Sequence, residues 1–178
     1  MLSERSENNL HKTIVLKNTQ PNRINFKPNT LYTLDLTGTL SYGIIEEHEL
    51  YTLFKDGRVT GRLIEKLLAT LFKNIEMSAN SNSRFDLVYG KYGQPIEVRT
   101  VSKSGTNTAP SHMIGKGRVY DAVEHTEKLK ALGYFIFVCI RETPLLDVFA
   151  IPSGIHLKGA NGKLTEKQVR RLAREYRE

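Results

Sequence analysis

Ser83-Arg84-Phe85-Asp86-Leu87-Val88-Tyr89-Gly90 is followed, after Lys91-Tyr92-Gly93, by Gln94-Pro95-Ile96-Glu97-Val98-Arg99-Thr100. The runs Arg84–Tyr89 and Pro95–Val101 are short and β-rich, and the segment between them is bounded by glycines, so they predict a β-hairpin. With Lys91 and Tyr92 as the loop, Tyr89 faces Gln94 and Asp86 faces Glu97. Side chains directly opposed in this way stand about 5 Å apart at Cβ. Arg99, two residues beyond Glu97, shares their face, while Phe85, Leu87, Ile96 and Val98 point to the other face and a core. A loop longer by one residue would shift the pairing and separate the two acids, so the register decides the reading.

Upstream of the hairpin, Gly61–Ile75 carries Leu63, Ile64, Leu67, Leu68, Leu71, Phe72 and Ile75 at helical spacing. Arg62, Lys66 and Lys73 occupy the opposite half of the wheel, and Glu65 lies at the boundary. Ser78–Ser83 reads as a loop. Downstream, Ser102–Gly117 is a long polar loop, and Val119–Leu132 a helix closed by Gly133. Tyr134–Ile140 is apolar throughout, which predicts a central strand covered on both faces. Leu145–Ile151 is a second strand. Thr165–Glu178 is a basic helix, with Thr165 and Gln168 spaced as a capping box. Before all of these, residues 1–11 look frayed, and Thr13–Lys17, Leu31–Thr37 and Thr39–Ile45 read as strands. Glu46–Phe54 suits either helix or strand. The expected fold is α/β of the α+β kind: a mixed central sheet flanked by helices. Residues 1–60 form a β-rich N-terminal segment, and residues 61–178 a core that ends in the basic helix.

At 178 residues, 39% hydrophobic and 25% charged, the composition excludes a disordered chain, a collagen-like fibre and a disulfide scaffold. Lys and Arg number 26 against 19 Asp and Glu, a surplus of +7 that favours a polyanionic partner, nucleic acid first. The single cysteine, Cys139, sits in an apolar run and reads as a buried structural thiol. No apolar run approaches the roughly 20 residues of a bilayer span, and the polar N-terminus lacks a signal-peptide core. The expectation is a cytoplasmic protein without a membrane partner.

Opposed carboxylates repel unless something positive sits between them. Asp86 and Glu97 therefore suit Mg²⁺, which takes one or two carboxylates and completes its shell with water and phosphate oxygens. Arg99 is the competing neutraliser. The arrangement resembles the PD-(D/E)xK nuclease superfamily and, within it, the type II restriction endonucleases. The resemblance rests on Glu65 in Gly61-Arg-Leu-Ile-Glu65-Lys-Leu-Leu68, on Asp86, on Glu97-Val98-Arg99 and on the strand Tyr134–Ile140. It spans residues ~60 to ~152 by element order.

That resemblance implies a restriction-endonuclease-like core. Asp86 and Glu97 would bind Mg²⁺, and Glu65, Asp86, Glu97 and Arg99 would form the catalytic set. Phe85 stands where the family name has Pro. Arg99 stands where the family usually has a Lys that positions or activates the attacking water. Arginine stays protonated and cannot serve as a base, so Lys103 or Lys91 is an alternative source of the ammonium group. The implied activity is hydrolysis of phosphodiester bonds in double-stranded DNA at a short recognition site, by a twofold homodimer. The N-terminal segment would be its dimer contact or a DNA clamp.

The loop after the hairpin somewhat resembles the DNA-reading segment of the small blunt-cutting restriction enzymes. Lys103, Lys116 and Arg118 can meet phosphates; Ser104, Asn107, Ser111 and His112 can reach base edges. His125, beside Glu124 and Glu127, reads as solvated. His48, in Glu46-Glu47-His48-Glu49, lies on a charged helical face rather than in a metal cluster. The basic C-terminal helix suits a phosphate backbone or a solvated face equally. Three other readings stand beside the restriction enzyme. They are a Holliday-junction-type structure-specific nuclease, a non-enzymatic DNA-binding module in which Arg99 pairs with the acids, and an RNA- or ribosome-associated protein. The absence of Trp and of an aromatic RNA-binding motif speaks against the last.

Overall fold

A computed structural model describes residues 4–5, 13–17, 23–38, 45–55, 57–78 and 85–177. Among them, ten strands and four α-helices follow in order. They are β1 (Glu4–Arg5), β2 (Thr13–Lys17), β3 (Leu31–Asp35), α1 (Glu47–Phe54), α2 (Gly57–Leu71), β4 (Ile75–Met77), β5 (Leu87–Tyr89), β6 (Gln94–Val101), β7 (Thr106–Asn107), α3 (Ala122–Ala131), β8 (Tyr134–Cys139), β9 (Leu145–Pro152), β10 (Lys163–Leu164) and α4 (Glu166–Arg177). Eight strands form one mixed sheet in the order β1-β2-β3-β9-β8-β6-β5-β4, and β7 pairs with β10 in a small separate sheet. The fold is mixed α/β, as the element pattern predicts. Among the described residues, no helix is long and apolar enough to cross a membrane.

The hairpin has the expected register: Leu87 pairs with Ile96, Val88 with Pro95 and Tyr89 with Gln94. The turn is closed by Gly93 N–H donating to Gly90 O at 3.1 Å. Gly90 and Gly93 take φ of +70° and +62°, which side-chain-bearing residues rarely adopt. β6 then runs parallel to β8, with α3 as the crossover, and β8 pairs antiparallel with β9.

Both faces of the sheet are covered. On one, α2 contributes Ile64 and Leu68 to a core with Leu87, Ile96, Val98, Ile136, Val138 and Val148. On the other, Leu129 and Leu132 near α3 and Val169 and Ala173 of α4 join Phe135, Phe137, Cys139 and Phe149. β8 supplies both, as its unbroken apolar run predicts. Burial pushes the Cys139 thiol up to about 12, so it is an inert core group. β3 pairs with β9, and Leu16, Phe26, Tyr32 and Leu34 join the first core, so the described strands of the N-terminal segment extend the same sheet.

Several boundaries depart from the sequence pattern. α2 ends at Leu71, not Ile75. Phe72 and Ile75 are buried all the same, one in a bridge to Ile24 and the other in β4. The cause is the segment around Ile24, which lies against the end of the helix: Arg23 donates to the carbonyls of Ala69 and Phe72 at 2.6 Å each, and Lys73 N–H to Ile24 O at 2.8 Å. Leu63, counted on the apolar stripe, is exposed. α3 starts at Ala122, not Val119, behind the cap Asp121, whose side chain accepts from the N–H groups of Val123 and Glu124, and it closes on an extended Leu132. Gly133 is not a left-handed cap; its N–H donates to Pro95 O at 2.9 Å. Glu46–Phe54 resolves as helix, and the Thr165–Gln168 capping box forms. Glu4 and Arg5, expected to fray, pair with β2. Thr39–Ile45 apart from Ile45, Ser78–Ser83 apart from Ser78, and Arg84 lie outside the described residues.

Candidate functional site

β6 points alternate side chains to opposite faces, so Ile96 and Val98 enter the α2 core while Glu97 and Arg99 face α3. Asp86 sits just before β5. Its N–H donates to Ile96 O at 3.2 Å, and its carboxylate accepts from Val98 N–H at 2.8 Å. This short departure from the strand also turns Phe85 onto the α3–α4 side, not into the α2 core expected from strict alternation. Asp86 and Glu97 line one cleft of about 710 Å³ with Phe85, Ser111, His112, Glu124, Glu127 and Lys128.

The two acids are neutralised very differently. Glu97 is only 4% exposed, and its Oε1 meets both the Arg99 guanidinium and the Lys128 ammonium, the latter at 2.8 Å. Asp86 makes no ion pair among the described residues. Burial first, then the charges of Glu97 and Glu65, raises its carboxyl from 3.8 to about 6, against the pull of the Val98 N–H and Arg99. Glu65, on the α2 border predicted for it, thus acts on Asp86 through its charge, while its carboxylate accepts from Arg62 at 2.7 Å. Burial lowers the Lys128 ammonium, and Glu97 opposes that shift. Among the described residues, no three His, Cys, Asp or Glu side chains converge to hold a metal by themselves.

Lys128 is the residue that sequence reasoning missed. Lys91 is exposed at the hairpin tip, and Lys103 lines a different hollow beyond the far end of β6. The available signal was its place in α3, between His125 and the inward-facing Leu129 and Leu132. Arg99, besides holding Glu97, donates to Ala109 O at 3.3 Å, and its Nε is buried with no hydrogen-bond partner among the described residues.

The expected polar loop is more structured than its composition suggests. Thr106 and Asn107 form β7, and Ser111–Met113 form a 3₁₀ turn. Asn107 spends its carbonyl on Ala109 N–H at 2.9 Å. Ser104 bonds Ser102 at 2.8 Å. Arg118 reaches back to Ser111 O, and His112, exposed, meets Glu124 at 3.1 Å. Lys103, Ser111 and Lys116 are exposed. His125, expected in solvent, is fully buried: Tyr120 O–H lies 2.9 Å from its Nδ1 and Thr108 Oγ1 lies 3.3 Å from its Nε2. Thr108 gives its proton to Leu157 O at 2.7 Å, so its oxygen accepts from an Nε2–H tautomer. Burial lowers the imidazole pKa, which keeps the ring neutral. His48 is exposed on α1, where Glu46 and Glu49 cap the helix and Glu47 accepts from Gly38 N–H at 2.7 Å.

No protein-family model, curated protein or solved structure matches the chain.

Proposed function

We propose that the chain is a Mg²⁺-dependent DNA endonuclease with a restriction-endonuclease-like core, whose chemistry centres on Asp86 and Glu97. The observation that carries this reading is Asp86. It is a partly buried carboxylate with no ion pair among the described residues, raised to about 6, and it shares a cleft with Glu97. A site that leaves one acid uncompensated beside a second suits a hard divalent ion with few protein ligands. The order of elements around it also supports the reading: a helix bearing Glu65, the hairpin, a helix and the buried strand β8 follow as the resemblance implies.

Asp86 and Glu97 would hold the ion. Bound there, it would neutralise charge on a phosphate and acidify water. Lys128, on Glu97, is placed to hold a water or a non-bridging phosphate oxygen. This is the task the resemblance gives to the position of Arg99, here turned to Glu97 and Ala109. The buried His125–Thr108–Tyr120 network fixes α3 against the loop and so fixes the bearing of Lys128. Duplex DNA as substrate and a homodimer as the working form complete the proposal.

A second reading draws on one observation. Glu97 is already matched by Arg99 and Lys128, as expected of a DNA-binding module without catalysis. Incubating the protein with long unmethylated DNA, with Mg²⁺ or with chelator, separates the two. Discrete fragments formed only with metal support the restriction enzyme, cutting confined to branched DNA supports a junction nuclease, and intact DNA throughout supports the module.

A further inference from the structure

Beyond Val101 the chain leaves the acidic cleft and enters surroundings of the opposite sign. Two adjoining hollows, of about 860 and 470 Å³, share Lys55, Ser102 and Ser104. Among the described residues their walls bring together Lys55, Lys103, Arg141 and the Glu97-paired Arg99, and no carboxylate lines them. The acidic cleft is lined instead by Asp86, Glu97, Glu124 and Glu127 against Lys128. Ser111 lines both, so the two meet at the loop. Lys55 and Lys103 are exposed and make no ion pair among the described residues, whereas Arg141 pairs with Glu142 at 2.9 Å and with Glu166 at 3.4 Å, so the groove's free charge rests on the two lysines. Lys103 is not on a slack loop: Ser102 and Gly105 exchange backbone hydrogen bonds of 3.1 and 2.9 Å. Gly105 has φ +91°, and a Cβ there would collide with the Leu164 carbonyl oxygen, so the turn is fixed against β10.

We propose that this basic groove holds the phosphate backbone of DNA a few nucleotides from the phosphate that enters the acidic cleft. The groove's charge calls for a polyanion; its identity as DNA rests on the function proposed above. From Glu97 to Val101 is four strand steps, about 13 Å. That matches roughly four base-pair steps at 3.4 Å per strand. Lys55 comes from the C-terminal end of α1, so the N-terminal segment contributes to the contact.

The test is fluorescence anisotropy on a labelled DNA duplex, with Ca²⁺ replacing Mg²⁺, for wild type, the double variant Lys55→Gln/Lys103→Gln, and Lys130→Gln as an exposed control on α3. The double variant should keep the wild-type melting temperature and bind roughly tenfold more weakly. Its log–log salt dependence should be shallower by about 1.8, two phosphate contacts at 0.9 each. Lys130→Gln should change neither. Unchanged affinity and slope in the double variant, or no duplex binding by wild type, would overturn the proposal. The expected loss in a protein that leaves DNA uncut with Mg²⁺ would support the groove while sinking the nuclease reading.

Discussion

Ile96 and Val98 on one face of β6 belong to a core sealed from water under α2, whereas on the other face Glu97 is charged, buried and beside an open cleft, and the half-buried Arg99 pairs with it. The same strand therefore serves two ends. Apolar burial on the α2 side stabilises without directional demands. Charges on the α3 side must be desolvated, and for stability alone a buried ion pair is often no better than well-packed apolar residues. An acid held by one backbone N–H and by no ion pair among the described residues, as Asp86 is, costs stability in its charged form. Such a cost concentrated on one face and absent from the other is the pattern expected where sequence serves chemistry, and it is what the proposed site rests on.

Variants at the charged face should have the largest effect. Asp86→Ala or Glu97→Ala should lower Mg²⁺-dependent cleavage of DNA by a hundredfold or more while far-UV circular dichroism stays native. Either variant cutting at the wild-type rate would move the site elsewhere. Lys128→Met should reduce the cleavage rate by about 10²-fold with little change in duplex affinity; an unchanged rate would remove it from the machinery. On the sealed face, Leu68→Ala should cost about 2–5 kcal/mol in chemical denaturation and leave the cleavage rate of the folded fraction unaltered. A smaller loss would show that the α2 core is not close-packed.

The sequence carried the hairpin because its signals are local. Glycines bound the turn, and a two-residue loop fixes the pairing, so the juxtaposition of Asp86 and Glu97 could be read from spacing alone. Tyr134–Cys139 was legible because a run that is apolar at every position has only a two-sided burial to satisfy. Strands β4, β7 and β10, of two or three residues, are too short to show a period of two, and β7 and β10 exist only through each other, far apart in the chain. The end of α2 is set by Arg23 and Ile24, nearly fifty positions away. Lys128 and His125 were missed for a related reason. A polar residue on a helix reads as solvated unless the partner that takes it inside is known, and Glu97, Thr108 and Tyr120 come from the hairpin and loops.

The measurement that bears most directly on the central claim is the melting temperature of wild type and Asp86→Asn at pH 8, with and without Mg²⁺. The folded pKa of Asp86, about 6, lies above its ordinary 3.8, so the protonated group favours folding. That contribution is full below pH ~4 and is lost as pH rises through about 6. Without metal at pH 8, Asp86→Asn should therefore be more stable than wild type by on the order of 2 kcal/mol, allowing for the water that reaches the cleft. The advantage should vanish near pH 4. Mg²⁺ should raise the wild-type midpoint and leave that of Asp86→Asn in place. Equal midpoints at pH 8, or an equal Mg²⁺ response in both proteins, would contradict the account of Asp86 as an unpaired acid that takes a metal ion.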